Sequence, residues 1–408
     1  MEAIDIVRGL AGFMGRGAGT DAERRAALWL ADQLTADGQE ATVETFWCRP
    51  NWALTHALHA ALAVAGSLAS LASPIAGVAL LALALASVVG DWLSGHSPGR
   101  ALTRQHASQN LLLAPAQDQP NEQGSVRLIL TANYDAGRAG IAYRDSIRRP
   151  AGALRQTAKG FTPGWLGWLS IGIAWLLAVA ILRLAGHTSH AVGLLQLPPT
   201  AGLLLGAAIL LELAIASWSP AAGDNATGVA VAVALARALG TTPLQHVRVE
   251  LLLTGAGDGD QAGLRRHLRA RRRARRAADT VVLGLAACGA GTPHWWVSDG
   301  QLIPLRYDRS LRELAQEIAS DEPHLRAHPF KGRGCAPALP GRIAGIPAIT
   351  LGCLDSTGLA PRSHQQTDTI QAVDSAALDA ALQFALLMVD AIDTAVGELR
   401  ERRATTPA

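Results

Sequence analysis

The sequence has few charged residues and almost no lysine. Charged side chains make up 17% of the 408 residues, and Lys159 and Lys331 are the only lysines. Because soluble domains usually carry roughly 25% charged residues, this deficit indicates that part of the chain does not face water. The net charge of +3 is too small to indicate a nucleic-acid partner.

Cysteine is also scarce, and an N-terminal secretion signal is absent. The four cysteines, Cys48, Cys288, Cys335 and Cys353, have no CxxC spacing, so a zinc knuckle or a redox motif is unsupported. The segment MEAIDIVRGLAGFMG lacks the basic stretch and apolar core of a signal peptide. We therefore expect reduced, intracellular cysteines; a disulfide is the alternative, without positive support.

Two long apolar blocks interrupt the chain, at residues 52–93 and 165–218. The first breaks at Pro74, and the second half of the second block is expected to begin near Pro199 or Thr200. Each half approaches the ~20 residues needed to cross a bilayer. Because a helix in a soluble core rarely stays apolar on every face, we predict two transmembrane hairpins with four spans.

The rest of the chain is expected on one side of the membrane, because each hairpin returns the chain to the side it left. That side carries the arginine-rich run 265–276, whereas the turns near Ser73 and His187 are almost free of positive charge. The positive-inside rule then predicts a cytoplasmic soluble part in a multi-pass membrane protein. The run is typical of a solvated helix face, and anionic lipid headgroups are an additional expected partner. Nucleic acid is disfavoured because no aromatic residues interleave with the arginines.

Four ionisable residues lie within or near the apolar blocks: His56, His59, Arg183 and Glu212. Ionisable groups inside a membrane are candidates for function by default. Arg183 is close enough to a helix end to reach the interface. Glu212 is therefore the strongest candidate of this group.

The remaining pieces, 1–50, 95–163 and 219–400, alternate between strand and helix patterns and are followed by a tail at 401–408. Strands that are apolar on both faces and alternate with helices predict an α/β fold with a mostly parallel central sheet. The predicted helices are Ala22–Leu34, Asp224–Leu239, Ser310–Ile318 and Ser375–Val396, and the predicted strands are Glu40–Phe46, Ser125–Ala132, Val247–Thr254, Thr280–Leu285 and Ile346–Leu351. Functional loops are expected at the carboxyl ends of strands, here at 133–140, 255–260 and 352–368.

Five segments in these pieces carry a family resemblance. ILTANYDAGRAG, SPAAGDNATGVAVAVALARAL, VRVELLLTGAGDGDQAGLRRHLRA, GRIAGIPAITL and SHQQTDTIQAVD resemble, in the same order, motifs of metallopeptidase family 28, the di-zinc aminopeptidases. The resemblance implies a zinc-aminopeptidase-like three-layer sandwich into which the two hairpins are inserted. It also implies hydrolysis of a terminal peptide bond by two zinc ions, with a glutamate taking the proton of a shared water.

Matched residue by residue, the resemblance implies that part of the metal site is retained. The bridging aspartate falls on Asp224, another ligand position falls on Asp258, and the last histidine ligand falls on His364. Asp135, which follows the first ligand position by two residues, is also retained. These remnants divide between two metal positions, and neither position keeps the three protein ligands usual for catalytic zinc.

The same match implies that the other part is lost. The first histidine ligand falls on Asn133 and a later aspartate ligand falls on Ala286. The glutamate base falls on Gly257, which has no side chain to take a proton. Asp260 could replace one missing group if its loop bends toward the site.

Three hypotheses about function follow. The first is a membrane-embedded pseudo-peptidase that binds or scaffolds a peptide, a protein or membrane lipid and carries no metal. The alternative is an active metal-dependent aminopeptidase or hydrolase with an altered zinc site, in which Asp260 or another group acts as base. The third is a transport or lipid-handling role for the four spans, supported only by Glu212 and the histidines.

Each retained residue also has a purely structural interpretation. Asp224 is suited to cap a helix, Asp258 and Asp260 to stabilise the start of the next helix, and His364 to an ordinary loop position. However, all of these residues except Asp260 fall on the family's metal positions, and such a coincidence argues against the structural interpretations. Since the second hairpin is inserted between Asp135 and Asp224, we also expect a pocket that faces the membrane surface.

Overall fold

A computed structural model describes residues 2–36, 40–113, 126–158, 162–242, 244–271 and 280–405, with side chains as far as Glu401. Residues 272–276 of the arginine-rich run and 406–408 of the tail lie outside the described residues.

One mixed sheet organises the part of the chain outside the two apolar blocks. Its strands are β1 (Ala41–Cys48), β2 (His106–Leu113), β3 (Val126–Asn133), β4 (Val247–Thr254), β5 (Thr280–Leu285), β6 (Thr292–Asp299), β7 (Leu305–Arg306), β8 (His328–Lys331) and β9 (Ala348–Leu354). They are arranged in the order β1-β2-β4-β3-β5-β9-β6-β7, and β8 pairs with β6. The four central strands, β4, β3, β5 and β9, are parallel to one another.

The helices complete a three-layer arrangement. In chain order they are α1 (Ala3–Gly12), α2 (Asp21–Ala36), α3 (Trp52–Ala72), α4 (Pro74–Ser94), α5 (Pro98–Ala101), α6 (Asp145–Thr157), α7 (Trp165–Leu184), α8 (His190–Ile215), α9 (Thr227–Thr241), α10 (Ala262–Ala270), α11 (Arg309–Asp321), α12 (Leu339–Ile343) and α13 (Ser375–Thr405). Side chains of α1, α2, α9, α11 and α13 form one core cluster with the sheet. Side chains of α10 contribute to a second cluster that contains alternate residues of the strands. This architecture confirms the predicted fold class.

The central strands are largely buried on both faces because most of their residues are apolar. All six residues of β5 are buried, as are the last five of β4. These two strands have the bounds that their sequences predict, since helices cover both sides of a parallel centre.

Helices α3, α4, α7 and α8 pack into a bundle beside the sheet domain. Leu81, Val88, Ile173 and Leu176 lie in its buried centre. Ser73 ends α3 and also caps α4, since its hydroxyl accepts a hydrogen bond from the amide of Ala76.

The expected start of α8 near Pro199 or Thr200 is wrong, because the helix begins at His190 and contains Pro198 and Pro199. A proline inside a helix removes one amide donor and crowds the carbonyl four residues earlier, so the sequence favoured a start at the prolines and not eight residues before them.

The bundle carries a large exposed apolar surface. Most of the large apolar side chains exposed in the described part of the chain lie on these four helices, for example Ile75, Trp168, Leu197 and Leu205. Five helices are long and apolar enough to span a membrane: the four of the bundle and Ser375–Glu401 of α13. One face of α13 packs in the core of the sheet domain through Phe384 and Met388, so we assign this helix to the sheet domain.

Three of the ionisable residues in the apolar blocks, Glu212, His59 and His56, have polar partners within the structure. Oε2 of Glu212 accepts a hydrogen bond from the amide of Ile141 at 3.1 Å. A ring nitrogen of His59 lies 2.7 Å from the hydroxyl of Ser87, and Nε2 of His56 lies 3.5 Å from a carboxylate oxygen of Asp91. These contacts give each group a structural role in packing the helices. The transport hypothesis therefore gains no support from them.

Candidate active site

Three residues from separate segments meet beside the carboxyl ends of the central strands. Asp224 precedes α9, Asp258 follows β4, and His364 lies in the loop between β9 and α13. Nε2 of His364 lies 3.6 Å from Oδ2 of Asp224 and 3.6 Å from Oδ1 of Asp258. The structure therefore brings together the three retained ligand positions.

Asp224 does not cap a helix, so that structural interpretation is wrong. It lies in a π-helical turn at Ala222–Ala226, and α9 begins only at Thr227 without a side-chain cap. The wide turn directs the aspartate toward the loop that carries His364. There, Oδ2 of Asp224 accepts a hydrogen bond from the hydroxyl of Ser363 at 2.7 Å.

His364 is held by ring and backbone contacts. Its ring is stacked on Tyr143, with centroids 4.1 Å apart and an angle of 13° between the planes. Its Nδ1 lies 3.2 Å from the carbonyl oxygen of Arg138, so Nδ1 donates and Nε2 faces the two carboxylates. Burial lowers the pKa of His364, but Asp258 and Asp224 raise it, and the net shift is upward.

Two buried aspartates hold the backbone of the site loops. Asp135 accepts hydrogen bonds from the amides of Gly257 and Asp258, both at 3.0 Å. Asp368 accepts in the same way from the amides of Gly223 at 2.7 Å and Asp224 at 3.1 Å. Burial is the main cause that raises the pKa of each carboxyl group to about 7, and the neighbouring aspartate of the site adds to the shift.

The position of the missing base is occupied by a different side chain. A Cβ atom added to Gly257 would lie 2.2 Å from Cγ of Asn133, far inside a van der Waals contact. Oδ1 of Asn133 accepts a hydrogen bond from the hydroxyl of Thr254 at 2.9 Å, which fixes this arrangement. The side chain of Asn133 therefore fits only because residue 257 is a glycine.

Asp260 does not replace a lost group, because it points to another partner. Its carboxylate forms an ion pair with Arg100 at 2.9 Å, and it lines a different cavity from the one around His364. Neither Asp258 nor Asp260 forms a side-chain cap of α10, which begins at Ala262.

Trp52, the first residue of α3, reaches the site. Its Nε1 donates a hydrogen bond to Oδ2 of Asp258 at 3.2 Å, and its ring packs against Trp165 at the start of α7 with centroids 5.3 Å apart. No motif in the sequence assigned either tryptophan to the site. The one sequence signal for this role is that each tryptophan is the first residue of a hairpin, next to the segments that form the site.

Arg16 and Glu23 are buried groups that sequence reasoning missed. The guanidinium of Arg16 donates to four backbone carbonyls, those of Leu10, Tyr134, Pro220 and Ala221. Burial lowers its pKa to about 10.

Glu23 accepts hydrogen bonds from the amides of Gly19 and Ala256 and from the hydroxyl of Ser108. Burial first, and the charge of Asp135 second, raise its pKa to about 8. Arg16 thus joins the segment after β3 to the segment before Asp224, and Glu23 joins the segment before α2 to the loop after β4.

The remaining side chains do not fit a pair of zinc ions. Oδ2 of Asp224 is already bonded to Ser363, and Oδ2 of Asp258 to Trp52. Ala286 lines the cavity where a further carboxylate ligand would be required. Within the residues that the structure describes, no group of three or more His, Cys, Asp or Glu side chains has the geometry to hold a metal.

The three residues line a cavity of about 360 Å³. Trp52 and Trp165 line this cavity, and so does Arg155 of α6. A second, mostly apolar groove of about 890 Å³ runs between α7 and α8 and shares these residues and His364 with the cavity. The site is thus continuous with the surface of the bundle.

Comparison with known proteins identifies the family. A family model described as peptidase family M28 matches residues 211–389, which include Asp224, Asp258 and His364. This match supports the assignment of the chain to peptidase family M28. The matched region also contains two of the departures in the site, since Gly257 and Ala286 lie within it.

Solved structures share the M28 fold at low sequence identity. A zinc aminopeptidase from Bacillus subtilis has 13% identity and a TM-score of 0.53, covering 95% of this chain and 94% of that chain. A glutaminyl cyclase from Porphyromonas gingivalis has 14% identity and a TM-score of 0.52, covering 95% and 96%. LapB from Legionella pneumophila has 10% identity and a TM-score of 0.52, covering 96% and 71%. No curated protein sequence matches this chain, and these likenesses speak for the fold alone.

Proposed function

We propose that this M28 chain is a membrane-embedded binding protein that has lost hydrolytic activity. The observation that carries the proposal is the pair Asn133 and Gly257: the base position has no side chain, and the neighbouring side chain fills the space above it. Function depends on the chemistry of a site rather than on its fold. A site without a base is suited to binding.

Two buried carboxylates near the three site residues, those of Asp135 and Asp299, are already engaged by the backbone. Asp135 is fully buried and both of its oxygens accept backbone amides. Asp299 also lines the cavity, but its oxygens accept the amides of Gly334 at 2.8 Å and Ala336 at 2.7 Å. Both oxygens of each carboxylate are thus engaged by backbone amides, so we infer that these groups hold loops in place and do not take a proton from water.

Membrane embedding rests on the exposed apolar surface of α3, α4, α7 and α8. Contiguous exposed apolar patches beyond a few hundred Å² are rare on soluble monomers, and these four helices have the length of membrane spans. Arg265, Arg266 and Arg269 all lie on the sheet-domain side of the bundle, which supports a cytoplasmic sheet domain.

The alternative is a hydrolase with a single, altered metal. The observation in its favour is the spacing around His364: its Nε2 lies 3.6 Å from each carboxylate. Ligands around a tetrahedral zinc with bonds of 2.0–2.1 Å are about 3.3–3.5 Å apart. This spacing is close to the measured one, so the alternative has a direct test.

The test is turnover of an aminoacyl substrate by the full chain purified in detergent, with added zinc and with a chelator. We expect wild type to match Asp224→Ala, with no turnover above background in either. Chelator-sensitive turnover in wild type that is lost in Asp224→Ala would establish the alternative. Extraction of native membranes with alkaline carbonate checks embedding, and release of the chain would contradict it.

A further inference from the structure

The groove between α7 and α8 connects the bundle surface to the candidate site. Trp168 and Trp175 of α7 form one wall, and Leu203 and Ile209 of α8 contribute to the other. At its inner end it is lined by His364, which also lines the polar cavity. A ligand in the groove would therefore reach Asp224 and Asp258 without leaving the protein.

The walls of the groove suit a hydrocarbon chain. Pro198 and Leu213 mark its extent along α8, which is about 22 Å at 1.5 Å per residue. A single leaflet of the hydrocarbon core is about 15 Å thick, half of the ~30 Å bilayer core. The groove is thus long enough for one extended acyl chain of a lipid.

Glycines keep the groove open. Gly202 and Gly206 both line it, and a Cβ atom added to either would meet no atom within 4 Å. Larger side chains at these positions would fill the groove with atoms from α8 itself. Gly193, on the same helix but outside the groove, also has room for a side chain.

The junction of groove and cavity carries charges of both signs. Arg155 lines both, and among the described residues nothing forms a hydrogen bond or ion pair with its guanidinium. Its electrostatic neighbours are Arg333, which is also cationic, and Asp299, whose oxygens accept backbone amides. Two neighbouring guanidinium groups favour an anion. Asp224 and Asp258 provide the negative side of the cavity.

We propose that this groove and cavity bind one phospholipid whose head carries a primary amine. Its acyl chain occupies the groove, its phosphate lies at Arg155, and its ammonium group donates hydrogen bonds to the carboxylates of Asp224 and Asp258. The proposal rests on the membrane embedding proposed above, and it names the ligand of the same site. A choline head lacks N–H donors and a glycerol head lacks positive charge, so both should bind more weakly.

The experiment uses the full chain in phosphatidylcholine vesicles that contain a trace of phosphatidylethanolamine with a photoreactive acyl chain. After irradiation, the yield of lipid attached to peptides of α7 and α8 is measured by mass spectrometry. Unlabelled phosphatidylethanolamine should compete, whereas phosphatidylglycerol and added phosphatidylcholine should not. We expect Gly206→Phe to lower the yield by about tenfold, corresponding to ~1.4 kcal/mol, and Gly193→Phe to leave it unchanged.

Two further variants test the head. Arg155→Gln should lower the labelling yield, and Asp258→Asn should abolish the preference for phosphatidylethanolamine over phosphatidylcholine. Equal labelling of Gly206→Phe and Gly193→Phe, or equal competition by all three lipids, overturns the lipid proposal. Resistance to carbonate extraction is measured on the same vesicles. A chain that stays in the vesicles but is not selectively labelled contradicts the lipid proposal alone. A chain that is released contradicts the membrane embedding of the proposed function.

Discussion

The two sides of the candidate site have changed to different degrees. On one side, Asp224, Ser363, His364 and Asp368 form a connected network of hydrogen bonds and short polar contacts. On the other side, the positions of a histidine, a glutamate and an aspartate in the family carry Asn133, Gly257 and Ala286. By the family resemblance, these three positions would bind metal or move protons, and none of them carries a group that can do so in the proposed binding protein.

Backbone-holding carboxylates are retained on both sides. Asp135, Asp368 and Glu23 each accept hydrogen bonds from two backbone amides of the loops around the site. Such groups fix the shape of a pocket and need no metal. Under the proposed function, the shape of the pocket is kept while its hydrolytic groups are replaced, and the following predictions test that distinction.

The largest expected effect is on stability, from Arg16→Met. Four carbonyls would lose their donor in a buried place, and each unsatisfied buried group costs about 1–3 kcal/mol. We expect a loss of at least about 3 kcal/mol, or failure to fold, because Arg16 joins the segment after β3 to the segment before Asp224. Thermal unfolding in detergent measures this effect, with Arg8→Met, an exposed surface change, as control. Similar midpoints for the two variants would contradict it.

An intermediate effect is expected from Gly257→Ala. The added Cβ would overlap the side chain of Asn133, and overpacking of this kind typically costs about 1–3 kcal/mol. In an Asn133→Ala background the overlap is removed, so the same substitution should be nearly neutral. A double-mutant cycle from unfolding midpoints gives the coupling, and independent, additive effects would show that the two positions are not linked.

The smallest expected effect is on stability at His364, where two substitutions separate backbone strain from the loss of ring stacking. Its φ of +58° lies in the left-handed region, which costs a residue other than glycine about 1 kcal/mol or more. His364→Gly relieves this strain but loses the stacking on Tyr143, so it should be nearly neutral. His364→Ala loses the stacking and keeps the strain. We therefore expect the glycine variant to be more stable by about 1 kcal/mol, and the reverse order in unfolding midpoints would contradict this account.

Much of the fold was predictable because its central strands are apolar on both faces. The bounds of β4 and β5 match the prediction, and the break at Pro74 separates α3 from α4. Strands β2 and β6 were missed, since they lie outside the parallel centre and HASQNLLL mixes polar with apolar residues. The start of α8 was misplaced because two prolines lie inside a helix rather than at its first turn.

The candidate site was predictable only as far as the family motifs extend. Asp224, Asp258 and His364 lie together, although nothing in their spacing along the chain requires it. The hydrogen bond of Trp52 to Asp258 joins residues more than 200 positions apart, and the overlap of Asn133 with Gly257 depends on the register of β3 against β4. Contacts of this kind follow from the packing of loops and become visible only in three dimensions.

Zinc stoichiometry tests the central claim most directly. The full chain would be purified in detergent, equilibrated with zinc and freed of loosely bound metal, and its zinc content compared with that of Asp224→Ala by elemental analysis. We predict that both proteins contain far less than one zinc per chain and do not differ. One or two zinc ions per wild-type chain, absent from Asp224→Ala, would contradict the loss of the metal site.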